Sequence, residues 1–129
     1  MRVRLAILAV CAGSLLAHHS FTAEFDNTKP VTFKGKLIKM DWVNPHSWVH
    51  IAVTNAEGKV EQWDCETPPP NGLYRSGWRK DMLKEGDEIT VQGFMAKDGS
   101  HTMWSQSVTF ADGSRLTIGS APGAPAAKQ

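Results

Sequence analysis

The sequence predicts an all-β domain, a small barrel of five to six strands with a short helical or irregular link between strands three and four. Three observations lead there. Apolar and polar residues alternate in several short runs, and clusters of Gly, Asn, Asp and Pro separate those runs. A single stretch, NGLYRSGWRKDMLK, is a helical candidate, and Gly72 and Gly77 keep it short or irregular.

The first run, Val31 to Met40, follows an extended arm that ends at Pro30. Val31, Phe33 and Leu37 share one parity, whereas Ile38 and Met40 take the other. A change of face inside one run, beside Gly35, predicts a bulged or strongly bent strand. Asn44-Pro45 is turn punctuation. His46 to Val53 then alternates, with Val49, Ile51 and Val53 on one face and His46, Trp48 and His50 on the other. A loop at Asn55-Ala56-Glu57-Gly58 leads into Lys59 to Glu66, with Trp63 and Cys65 opposite Gln62, Asp64 and Glu66. Pro68-Pro69-Pro70 stops that strand. Glu88 to Ala96 and His101 to Phe110 form the next hairpin around Lys97-Asp98-Gly99-Ser100. In the latter strand Trp104, Val108 and Phe110 are expected on one face, and His101 and Met103 on the other. Arg115 to Ile118 is a short sixth strand. Three strands, a link and two strands is the element order of an OB-like barrel, whose first strand bends to serve both halves. A small sandwich or another six-stranded barrel is the competing arrangement.

The chain opens MRVRLAILAVCAGSLLA, with Arg2 and Arg4 ahead of an apolar run from Leu5 to Leu16. That layout is a secretory signal over residues 1–17, and the run is too short for the roughly 20 residues a membrane helix needs. Three processing sites stay open: after Ala17, after Ala12, or lipidation of Cys11. Residues 18–118 then form one β-barrel domain with an N-terminal arm, periplasmic or secreted. Residues 119–129 have almost nothing to bury and read as a disordered tail.

Removing Arg2 and Arg4 leaves 12 basic against 13 acidic side chains. So balanced a domain carries no electrostatic footprint for nucleic acid or an anionic membrane surface. Cys65 alone of the two cysteines survives a cut after Ala17, so no internal disulfide is available. It reads as a buried small hydrophobe; a disulfide to a partner and a metal ligand are the other readings.

The five histidines are the chemistry-bearing residues. A cut after Ala17 makes His18 a free N-terminal chelator through its amine and ring, with His19 beside it. A further nitrogen from His46 would complete a set suited to copper. The plainer reading is a solvated arm. Trp48, His50, His101 and Met103 are candidates for a ligand-binding face, because strand two lines the usual binding surface of this fold; the plainer reading is an ordinary polar face. Of the five tryptophans, Trp63 and Trp104 are expected in the core, and Trp42, Trp48 and Trp78 near loops or on the polar face. No nucleophile elbow, phosphate loop, CxxC pair or HExxH helix is present, so no enzyme is read. The expected function is non-catalytic binding of a copper ion or, alternatively, docking of an extracytoplasmic peptide, glycan or partner protein through the Trp/His face.

The segments HHSFTAEFD, KPVTFKGKL, DWVNPHSWVHI, LYRSGW and LKEGDEITVQG, with AKDGS, resemble the bacterial DUF6152 family of small exported proteins of unknown function. The resemblance spans about residues 18–118. It implies a single exported β domain and no established activity. The family's HHS start falls on His18, His19 and Ser20, and its NPH segment on Asn44, Pro45 and His46. Cys65, within WDCE, stands where the resemblance implies another residue, and the triple proline is a second departure.

Overall fold

The computed structural model describes residues 21–119. The signal segment 1–17, the His18-His19 pair and residues 120–129 of the expected tail lie outside them. The elements are α1 (Phe21–Glu24), β1 (Phe25–Asp41), β2 (Ser47–Thr54), β3 (Val60–Thr67), α2 (Pro70–Arg75), β4 (Glu88–Ala96), β5 (Thr102–Phe110) and β6 (Arg115–Thr117). β1 pairs antiparallel with both β2 and β4, β2 with β3, and β4 with β5. A parallel pairing of β3 with β5, Asp64–Glu66 against Thr102–Trp104, closes these strands into a ring. β6 folds back onto β5 outside it. The order β1-β2-β3-β5-β4 is that of the expected OB-like all-β fold.

β1 serves both halves because it is 17 residues long and bulged between Leu37 and Lys39, as the parity change predicts. Its earlier part pairs with β4 and its later part with β2. At the bulge both backbone groups of Leu37 are bonded: its N–H donates to the Asp87 carbonyl, and its carbonyl accepts from the Gly86 N–H, each at 2.8 Å. β1 begins at Phe25 rather than Val31. Pro30 does not prevent this, because the β4 pairing is irregular between Phe25 and Pro30, where its missing N–H is not required. The expected arm also holds one helical turn, α1. Phe21 and Phe25, four residues apart, both turn inward from it.

Inside the ring Leu37, Val49, Ile51, Val91, Met103 and Val108 form the main core. Trp78, expected near a loop or on the polar face, is fully buried against this core, and its indole N–H donates to the Thr117 carbonyl at 2.9 Å. A second cluster of Phe21, Phe25, Phe94 and Trp104 packs separately from it. Trp104 and Met103 have thus exchanged their expected faces. Ser107 pairs with Gln92 and Ser105 with Gly93, so Gln106 is an extra residue that reverses the parity of β5. The strands approach so closely here that a side chain at Gly93 would begin 1.8 Å from the Trp104 carbonyl oxygen. α2 is shorter than the helical candidate; it ends before Gly77, whose φ of +90° a helix does not accommodate.

Candidate functional site

His46 enters β2 from the turn that contains the cis Asn44–Pro45 bond. The start of β2 is tied to the end of β3, where the Thr67 hydroxyl donates to the Ser47 carbonyl at 3.0 Å. This brings the His46 Nδ1 against the Glu66 carboxylate. Trp104, beside Glu66 in the parallel ladder, meets the His46 ring edge-on at 6.0 Å between centroids. The other side of the Trp104 contact belongs to Phe21, at 6.1 Å and also edge-on. The first described residue of the chain therefore sits one ring away from His46.

Glu66, on the face expected opposite Trp63 and Cys65, is 4 % exposed. Sequence parity placed it outward correctly; Phe21 of α1 and Phe25 of β1, together with Trp104, form a second layer next to it that alternation in β3 does not reveal. Burial, and then the charge of Glu24, push its carboxyl up to about 7. His46 itself is 44 % exposed at its side chain. One ring nitrogen is thus fixed by a buried carboxylate while the ring keeps a face toward solvent.

The other candidates part company. His50 spends both nitrogens, Nδ1 on Asp64 at 2.5 Å and Nε2 on Asp41 at 3.0 Å. Partial burial raises Asp64, but the hydrogen bonds from Gln62 and His50 outweigh it and leave its carboxyl low. Asp41 is lowered first by Lys39 and then by His50. His101 stacks on Trp63 at 4.8 Å, with its Nε2 3.9 Å from a Glu61 oxygen. Met103 has no exposed surface, so its expected place on a ligand-binding face is corrected to the core. Cys65 is buried, and burial, followed by the Asp64 charge, pushes its thiol well above the usual range.

Trp48 stands opposite Glu66 in the β2–β3 ladder. Both border a cleft of about 500 Å³ between α1 and the β4–β5 turn, with Glu24, Lys97, Asp98 and Thr102 on its other walls. Lys97 ties the turn to α1: its ammonium donates to the Thr22 carbonyl at 2.5 Å and its backbone N–H to that of Glu24 at 2.8 Å. Among the described residues no group of three His, Cys, Asp or Glu side chains could hold a metal ion. Of the expected copper ligands, His46 is in place and His18 and His19 lie outside the described residues. No described helix is long and apolar enough to cross a membrane.

No curated protein and no solved structure matches the chain. A family model does, over residues 6–105, and its description is a family of unknown function, DUF6152. That span takes in His46, Glu66, Trp48 and Trp104 together with most of the barrel. The chain belongs to the DUF6152 family.

Proposed function

We propose that this chain is an exported, non-catalytic binding protein whose ligand is a copper ion, held by His18, His19 and His46. The observation that carries the reading is the His46–Glu66 pair. Metal-binding histidines characteristically give their second ring nitrogen to a carboxylate, which fixes the ring and its tautomer. Glu66 does this from a buried position and leaves Nε2 of a half-exposed ring for a ligand. The route of the chain adds support. Phe21 packs on Trp104, which touches His46, and His19 is two residues before Phe21. Two residues span at most about 7 Å of chain, so His19 is joined to Phe21 by a short tether. Nitrogen-rich donor sets favour copper among the divalent metals.

Titration of the processed protein with Cu(II) tests this. The expected result is one tightly held ion per chain, with affinity lowered at least about a hundredfold in His46→Ala and roughly 10- to 100-fold in Glu66→Gln. Wild-type protein that takes up no copper sinks the proposal. A second reading is favoured by the Trp48 cleft: a metal-independent module that docks a peptide, glycan or partner protein. Its mark is binding that survives a chelator and is lost in Trp48→Ala.

A further inference from the structure

Four of the five tryptophans have an evident structural use. Trp42 stacks on Tyr74 at 5.4 Å. Trp63 lies between Phe33 and His101. Trp78 is buried with its N–H bonded, and Trp104 anchors the second cluster. Trp48 is different: among the described residues no ring pairs with it, it is half-buried, and it forms a wall of the cleft. A large amphipathic ring without an aromatic partner beside a cavity is a surface for a ligand.

The remaining walls narrow the ligand's chemistry. Glu66, Glu24 and Asp98 line the cleft together with Lys97 and Thr102. Charges of both signs make it a trap for neither a polyanion nor a bare cation. Glu66, whose side chain is 5 % exposed, gives it a hydrogen-bonding group fixed by its bond to His46. A cleft of about 500 Å³ accommodates one or two sugar rings. We infer that this cleft binds a neutral saccharide, with the C–H face of a pyranose on the Trp48 indole and its equatorial hydroxyls on the Glu66 and Thr102 edge. A glucose-type ring, all of whose substituents are equatorial, offers the flattest such face. The inference rests on the second, metal-independent reading above and does not need copper.

The test is titration of the full chain, kept in a chelator, with cellotriose and chitotriose, followed by tryptophan fluorescence and by amide shifts in NMR. Saturable one-to-one binding with a Kd of about 1 mM or tighter is expected, a range usual for a single stacked ring. Trp48→Ala should weaken it at least about tenfold and Trp48→Tyr much less. Native amide dispersion in Trp48→Ala shows that the loss is not unfolding. No saturable shift with either sugar overturns the inference, as does equal binding by Trp48→Ala. Binding of a decalysine peptide at the cleft without either sugar also overturns it, yet leaves the metal-independent module standing.

Discussion

His46 and His50 lie four residues apart at the same strand and on the same expected face, and they are put to opposite uses. His50 bridges Asp64 and Asp41, so β1, β2 and β3 are laced together through one ring. Its side chain is 12 % exposed and neither nitrogen is left over. His46 gives one nitrogen to Glu66 and keeps the rest of its ring half in solvent. Spacing on a strand therefore locates candidate histidines, but the number of nitrogens already engaged separates a brace from a potential ligand.

The largest change expected is on the His46 side. Trp104→Ala removes the ring that seats both Phe21 and His46, and large-to-small changes of a buried tryptophan cost about 3–5 kcal/mol. Urea unfolding should show that loss. NMR should show altered His46 signals with those of His50 in place; a shift of both rings alike would break the distinction.

Glu66→Gln sharpens it through pH. The Glu66 carboxyl is held at about 7 against an ordinary 4.5, so between those values the folded chain keeps a proton that the unfolded chain has released. Stability therefore falls as the pH rises through this window and stays lowered above it. Glutamine should remove that fall, worth at most about 3 kcal/mol. Thermal melts from pH 4 to 8 would reveal a flatter profile in the variant; parallel profiles would show that Glu66 is not the source.

The smallest effect belongs to His50→Ala, expected to cost about 1–2 kcal/mol through its lost hydrogen bonds. This loss should be accompanied by unchanged copper uptake. A hundredfold drop in copper affinity here would erase the contrast with His46.

Most of the barrel was legible because strand periodicity is a local property. Val49, Ile51 and Val53 alternate on β2 and are all buried, and the Leu37–Ile38 parity change marked the β1 bulge. The β5 bulge was not legible. Nothing around Gln106 signals an extra residue, and its cause lies partly across the ladder, where Gly93 permits the close approach. Hence Met103 and Trp104 were exchanged. Glu66 was missed for a related reason: the aromatic layer beside it comes from α1, β1, β4 and β5, distant in sequence. Of the site, His46 and Trp48 were visible as residue types on an outward face. The partner that distinguishes His46 was visible only in three dimensions.

The bond from Trp78 to Thr117 has a consequence for how the molecule meets its neighbours. Ser114 and Ile118 direct backbone groups to β5, so by alternation the Thr117 carbonyl faces away from the ring, along the open side of β6. There a foreign strand would seek an acceptor, and the indole already occupies it. The residue that fills the core thus also takes up one outward acceptor on the last strand.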